Sequence, residues 1–141
     1  MNFFDASALV NRYVREAGSS SVQRLLRQGT PAVSRLSEAE ISSAFARRQR
    51  EGALLERLHR RALKALQSDL AQFHVVELSP EVVARVHGLL SAHPLRAADE
   101  LQLASALTLR EGVGTDIVFV AYDARLRTAA SAEHFVLAPR L

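Results

Sequence analysis

Four acidic residues lie within or beside strongly apolar stretches of this chain, and their carboxylates are the residues best suited to do chemistry. They are Asp5, Glu40, Asp99 and Asp123. Carboxylates are seldom buried without a partner, and several together repel one another. A hard divalent cation held by oxygen ligands is the simplest partner that would neutralise them. Because metal ions in carboxylate clusters can activate water against phosphodiester bonds, the four acids predict a metal-dependent site.

Each acid on its own also has a structural explanation. Asp5 and Asp123 precede predicted helices, where Asp is a favoured N-cap. Asp99 interrupts a helix that is apolar nearly all round, so it needs either a functional partner or a compensating charge. The helical pattern does not choose between Glu40 and its neighbour Glu38 as the acid that faces the site. These alternatives stay open at the level of single residues.

The elements that must position the acids alternate between strands and helices. Short β-type runs predict strands over 2–4, 31–34, 73–78, 117–121 and 135–137. Helical periodicity and end signals predict helices over 7–16, 20–28, 35–50, 53–70, 80–91, 97–110 and 123–131. Gly18 is expected to end the first helix, and Gly112 is expected to close the helix that carries Asp99.

This alternation predicts an α/β fold in which helices cover both faces of a parallel sheet. Such sheets bind ligands at the carboxyl ends of their strands. Asp5 and Asp123 both lie at such an end, which is why the two are expected to meet. The length of 141 residues and the lack of any linker or repeat predict one domain, 1–141.

The composition is that of a water-soluble globular protein. The chain is 48% hydrophobic and 23% charged, and no apolar run approaches the length of a membrane span. It has no cysteine, which excludes disulfides and thiolate metal sites. With no export signal at the start, a cytoplasmic location is expected, with no membrane partner. The net charge of +3 is compatible with an anionic partner.

A basic segment follows Glu40 along the chain. It contains seven Lys or Arg residues between Arg47 and Lys64: Arg47, Arg48, Arg50, Arg57, Arg60, Arg61 and Lys64. This segment could bind the phosphates of RNA or an acidic segment of another protein. It could equally be a solvated helical surface, because charged outer faces are normal for helices.

Four segments carry a resemblance to a known family, and together they span most of the chain. They are FFDASALVNRY, VSRLSEAEISSAFAR, LRAADELQLASAL and FVAYDARLRTAA, which contain Asp5, Glu40, Asp99 and Asp123 in that order. In this order and at this separation they resemble the PIN-domain ribonucleases, most closely the toxins of the VapC type. Two positions depart from the family pattern. Tyr122 stands where Thr or Ser is frequent, and Gln102 stands where His is frequent.

The resemblance implies a fold, an activity and a set of partners. The fold would be a PIN-like α/β/α sandwich around a central, mostly parallel sheet of four to five strands. The activity would be a Mg²⁺-dependent endoribonuclease, with Mn²⁺ as the alternative ion. Asp5, Glu40, Asp99 and Asp123 would be both catalytic and metal-binding, and Ser7 would contact a carboxylate or a metal-bound water. The implied partners are an RNA substrate, a cognate antitoxin and a second copy in a homodimer.

Two other functions remain open on the sequence. One is a catalytically silent PIN-like module that binds RNA or protein. The other is a phosphotransfer domain with Asp5 as the phosphorylated residue, although Ser7 replaces the second Asp that is usual two positions later. Other chemistries find no support, because zinc-type His spacing, phosphate-binding glycine loops and a nucleophile elbow are all lacking.

Overall fold

Two adjacent phenylalanines in the first strand point to opposite faces of one sheet. A computed structural model describes residues 1–141 and shows that both Phe3 and Phe4 are fully buried. Successive side chains alternate across a strand, so each ring enters a different core. The strands are β1 (Asn2–Phe4), β2 (Pro31–Ser34), β3 (His74–Val76), β4 (Val118–Val120) and β5 (Val136–Ala138). All four pairings between neighbouring strands are parallel, in the order β3-β2-β1-β4-β5.

Seven α-helices connect the strands and cover both faces of the sheet. They are α1 (Ala6–Leu9), α2 (Ser19–Arg27), α3 (Leu36–Arg50), α4 (Glu56–Leu70), α5 (Pro80–Ala92), α6 (Ala97–Val113) and α7 (Ala124–Ala132). The predicted α/β/α sandwich with a parallel sheet is therefore confirmed, with five strands. Among these helices, none combines the length and the apolar character that a bilayer crossing would need.

Two hydrophobic cores hold the three layers together. Phe3 stacks on Phe119 with ring centroids 5.6 Å apart, in the core shared by the sheet with α5, α6 and α7. Phe4 lies in the other core, where Ile41 and Phe45 of α3 pack with side chains of α1, α2 and α4. Burial of these large rings on both faces fixes β1 in the middle of the sheet.

The order of the strands creates a crevice at the carboxyl end of β1. The chain moves outward on one side from β1 to β2 and β3, then returns to place β4 on the other side of β1. The connections after β1 and β4 therefore leave in different directions, which makes this a topological switch point. Asp5 follows β1 directly, and Asp123 follows β4 after two residues.

Several predicted helix bounds were wrong, and a tertiary contact accompanies the largest difference. The helix expected over 7–16 ends at Leu9 and passes into a 3₁₀ turn, Val10–Arg12. Here Arg12 reaches across to Asp69 of α4, at 2.5 Å from its Nε atom, and this contact favours a turn over a continued helix. Gly18 does not end that helix; it is the N-cap of α2.

Glycine conformations account for two further differences. The helix expected from residue 53 begins at Glu56, because Gly52 has a positive φ of 76° and Leu55 is extended. The helix that carries Asp99 passes through Gly112 and ends at Gly114, whose φ of 72° lies in the left-handed region. Gly is the residue that adopts this conformation without a steric penalty, so Gly114 is the true helix stop.

Candidate active site

Asp5 is held rigidly between β1 and α1. Its side chain is only 4% exposed, and its backbone N–H donates to the carbonyl of Val120 in β4 at 3.0 Å. The Oδ2 atom accepts hydrogen bonds from the backbone N–H of Ser7, at 3.2 Å, and from the Ser7 hydroxyl. Asp5 is thus the N-cap of α1, as its position alone suggested. Both donors engage Oδ2, and this leaves Oδ1 for another partner.

The pKa of Asp5 depends on its burial and on the acids around it. Burial raises the pKa of Asp5 to about 7; the Ser7 hydrogen bond opposes this rise, and the charges of Glu40 and Asp99 add to it. Like charges within a short distance disfavour ionisation of a carboxyl. The pKa of Asp5 is therefore sensitive to acids that come from two other helices, α3 and α6.

Glu40 is half-buried on α3, and a glutamine holds it in place. Nε2 of Gln102 donates to Glu40 Oε1 at 2.8 Å and also contacts the Ser37 hydroxyl oxygen at 3.0 Å. Burial raises the pKa of Glu40, the Gln102 hydrogen bond lowers it, and the charge of Asp99 raises it. Glu38 instead pairs with Arg35 at 3.0 Å on the surface. The structure thus distinguishes the two acids that the helical pattern could not separate.

Asp99 and Asp123 complete the set of four. Asp99 lies half-buried in the first turn of α6, and its pKa is raised by burial and by the charge of Asp123, with Arg96 acting in the opposite direction. Asp123 is exposed and is the N-cap of α7, where Oδ1 accepts from the Leu126 backbone N–H at 2.9 Å. The four predicted acids therefore lie at one edge of the sheet, coupled through their charges.

Helix N-termini surround this edge. Asp5 and Asp123 are N-caps, and Asp99 lies in the first turn of its helix. The unpaired N–H groups at a helix start carry a partial positive charge that favours nearby carboxylates. This arrangement offsets part of the repulsion among the acids, although burial still raises the pKa of Asp5 and of Asp99.

The donor set has the chemistry that a hard divalent cation requires. It consists of carboxylate oxygens, and none of the four acids is in an ion pair with Lys, Arg or His. No three His, Asp or Glu side chains of the chain converge closely enough to enclose a metal ion by themselves. Mg²⁺ keeps several waters and needs only one or two direct carboxylates. The residues therefore fit a partly hydrated Mg²⁺, and they do not form a closed protein cage.

Four buried polar residues form hydrogen bonds that link α6 to α3 and β2, and they were not predicted from the sequence. We call this group the polar seam. It consists of Ser34, Ser37, Gln102 and Ser105, all fully buried. Ser105 donates to the hydroxyl oxygen of Ser34 at 3.1 Å or to the Leu101 carbonyl at 2.7 Å. Gln102, which stands where the family often has His, holds Glu40 through its side-chain amide. Gln102 and Ser105 lie about one turn apart in an otherwise apolar helix, and this spacing is the sequence signal that could have indicated the seam.

Tyr122 does not take the role that a smaller hydroxyl residue would have before Asp123. Its hydroxyl donates to the carbonyl of Gly18, which lies 104 residues earlier in the chain, at 3.1 Å. A Cβ atom at residue 18 would lie 2.8 Å from the phenol oxygen, so only glycine fits beneath the ring. The phenol therefore ties the start of α2 to the sheet.

Glu100 is a second buried acid that the sequence pattern did not single out. It is fully buried, and neither carboxylate oxygen has a hydrogen-bond partner. Burial raises its pKa; the nearby His93 lowers it, while Asp99 and Glu133 raise it. His93 is itself paired with Glu133 at 3.0 Å. Neither Asp5 nor Glu40 is among the groups that shift the pKa of Glu100.

Comparisons with known proteins agree on one family. The family model described as "PIN domain" matches residues 3–131. The chain is 35% identical to Ribonuclease VapC49 of Mycobacterium tuberculosis, covering 97% of this chain and 94% of that protein. It is 34% identical to Ribonuclease VapC46 of the same species, covering 91% and 88%.

Solved structures show the same fold at lower identity. FitAcB from Neisseria gonorrhoeae superposes with a TM-score of 0.71 at 17% identity, covering 97% of this chain and 96% of that chain. VapBC2 from Rickettsia felis, bound to a DNA fragment from their promoter, superposes with a TM-score of 0.66 at 11% identity, covering 96% of each.

The raised pKa of Asp5 predicts how stability depends on pH in metal-free protein. The folded state holds the Asp5 proton up to about pH 7, whereas the unfolded chain releases it near 3.8. The stabilising contribution is therefore complete below the lower value and is lost as pH rises through the higher one. The free energy of unfolding should fall between about pH 4 and pH 7, by at most about 1.4 kcal/mol per pH unit from this group. Urea unfolding across this range in EDTA measures the slope.

Asp5→Asn should reduce this slope, because the amide does not titrate. The matched control is Glu38→Gln, which removes a surface acid paired with Arg35 and should leave the slope unchanged. Equal slopes in wild type and Asp5→Asn would show that Asp5 ionises normally in the folded protein.

The Gln102–Glu40 hydrogen bond predicts a second effect. Gln102→Leu removes the donor that favours ionised Glu40, so the pKa of Glu40 should rise. Carbon NMR titration of the Glu carboxyls measures this. Loss of a group that orients a metal ligand typically weakens metal affinity about 10- to 100-fold. Ser105→Ala, which alters the same seam without touching a carboxylate, should change neither quantity. Identical titrations in the two variants would contradict a positioning role for Gln102.

Proposed function

The chain belongs to the PIN domain family, and we propose from this that it is a metal-dependent endoribonuclease, the toxin of a toxin–antitoxin pair. The observation that carries the proposal is that burial and neighbouring acids raise the pKa values of Asp5, Glu40 and Asp99, with Asp123 as the neighbour that acts on Asp99. The relatives named as ribonucleases support the activity. The similar structure described as a toxin–antitoxin complex from Klebsiella pneumoniae supports the biological setting.

The proposed cofactor is Mg²⁺, with Mn²⁺ as the alternative. Asp5 and Asp99 would be the direct ligands, while Glu40 and Asp123 would act directly or through water. When bound, the cation would supply an activated water and would offset charge on the phosphodiester. Asp5 must release its proton for this binding, so affinity should increase as pH rises through about 7.

The residues around the acids orient them for this task. The Ser7 hydroxyl and backbone N–H hold Oδ2 of Asp5, which leaves Oδ1 available. Gln102 holds Oε1 of Glu40 in the same way and leaves Oε2 available. The backbone N–H of Leu126 holds Oδ1 of Asp123. Each of these three carboxylates thus keeps one oxygen for the cation or its waters, and little reorganisation is needed on binding.

We propose RNA as the substrate, a cognate antitoxin as the inhibitor and a homodimer as the assembly. The chain's net charge of +3 is compatible with an anionic substrate. An RNA strand would place its scissile phosphate at the acidic edge only when a cation is present, because the carboxylates alone would repel it.

The alternative function is a PIN-like module that binds RNA or protein without cutting it. The observation that favours it is that Asp5 and Asp123 are helix N-caps, a structural role that needs no catalysis. Such a module would bind without any dependence on Glu40. Asp5 phosphotransfer is a third possibility, and it would leave RNA intact while labelling the protein.

The test of the proposed function compares two glutamates on the same helix. Cleavage of total cellular RNA is followed with Mg²⁺, with Mn²⁺ and with EDTA, for wild type, Glu40→Gln and Glu38→Gln. We expect cleavage only with a divalent ion, a loss of about 100-fold or more in Glu40→Gln and an unchanged rate in Glu38→Gln. Glu38 is the matched control, because it lies two residues away and pairs with Arg35. Intact RNA under all conditions would favour the binding module, and equal loss in both variants would refute the assignment of Glu40.

A further inference from the structure

A groove leads away from the acidic edge along α3. It has a volume of about 560 Å³. Ser7 and Glu40 line one end, and Arg47 and Arg48 line the other, opposite Glu16. The groove is therefore continuous with the proposed catalytic site and carries basic side chains at its far end.

The floor of this groove is one face of α3. Glu40, Ser43, Ala44 and Arg47 are spaced at three, four and seven residues, which places them on the same side of the helix. The side chains of Ser43 and Ala44 are small and leave the path between the charged ends open. Seven residues of helix advance about 10 Å, which is of the order of one or two nucleotides of an extended strand.

Arg47 is the basic residue of the groove whose side chain has no partner in the protein. Arg48 forms an ion pair with Glu16, so these two charges largely cancel. Arg47 is exposed, and it forms neither a hydrogen bond nor an ion pair with the protein. A free guanidinium on an open groove is well suited to bind a phosphate with two parallel hydrogen bonds.

We propose that Arg47 binds the backbone phosphate neighbouring the scissile phosphate of a single-stranded RNA lying in this groove. The inference rests on the proposed ribonuclease function and assigns one subsite within it. Arg47 is a positioning residue: it would hold the strand in register while the acids at the other end of the helix face act on the bond.

The ligand chemistry favours RNA over an acidic polypeptide. An RNA strand carries phosphates at a regular spacing, so it can engage Arg47 and the cation at the acidic edge together. An acidic peptide would gain from Arg47 but would bring its carboxylates against Glu40. The groove therefore suits a linear anion that has one charged group at Arg47 and another at the proposed cation.

The basic segment does not act as one surface. Of its seven basic residues, Arg47 and Arg48 line this groove. Arg61 lines a separate groove together with Arg48, between α4 and the segment that follows α1. Arg50 is exposed on α3 like Arg47 but is not among the groove residues. Arg50 is therefore a matched control with the same side chain on the same helix.

The first experiment measures binding of a random-sequence single-stranded 12-nucleotide RNA by fluorescence anisotropy with Ca²⁺ in place of Mg²⁺, with the RNA checked to be uncut. Arg47→Ala should weaken binding about tenfold and reduce the slope of log affinity against log salt by about 0.7, because one phosphate contact is lost. Arg50→Ala should bind as wild type does.

The second experiment measures cleavage with Mg²⁺, in which Arg47→Ala should raise KM about tenfold and change kcat less than about twofold.

The outcomes separate the subsite from the function it rests on. Equal affinity and KM in Arg47→Ala and Arg50→Ala, with normal cleavage by wild type, would overturn the subsite alone. Wild type that neither binds nor cuts RNA would overturn the proposed function and the subsite with it. Weakened binding of a poly-glutamate peptide in Arg47→Ala, with RNA binding unchanged, would show that the groove takes acidic protein instead.

Discussion

Repulsion among carboxylates at the carboxyl edge of the sheet is the constraint around which the other contacts are arranged. Asp5 is almost fully buried, and the charges of Glu40 and Asp99 raise its pKa further. Such a cluster is unfavourable in a fold unless its members are hydrogen-bonded or neutralised. The Ser7 donors, the Gln102 amide and three helix N-termini each offset part of this cost. A divalent cation would neutralise the repulsion that remains. The repulsion in the metal-free protein and the proposed metal-dependent activity therefore depend on the same carboxylates.

The strand order explains how acids distant in the sequence come together. Phe3 and Phe4 enter opposite cores and hold β1 at the centre of the sheet, so its end meets the end of β4. The backbone N–H of Asp5 donates to Val120 of β4, which couples the two strand ends directly. Glu40 and Asp99 then approach from helices on opposite faces.

Much of this arrangement could be predicted from the sequence, because it follows from local patterns. The strand 31–34 was predicted at its observed bounds, and the positions of Asp5 and Asp123 at strand ends followed from apolar runs. The role of Gln102 could not be predicted, since it depends on a contact between α3 and α6 that lie far apart in the chain. The helical pattern could not separate Glu40 from Glu38 for a related reason: the difference depends on where Arg35 places its guanidinium.

The central claim is that the acids hold a divalent cation at the end of β1. The most direct test is a crystal of the protein soaked in Mn²⁺, with the ion located by its anomalous scattering. The proposal predicts a peak in contact with Asp5 and Asp99, at roughly the 2 Å expected of oxygen ligands to a small divalent ion, with Glu40 and Asp123 in contact or one water away. A peak at any other place on the protein, or none at this edge at a Mn²⁺ concentration that supports RNA cleavage, would contradict it.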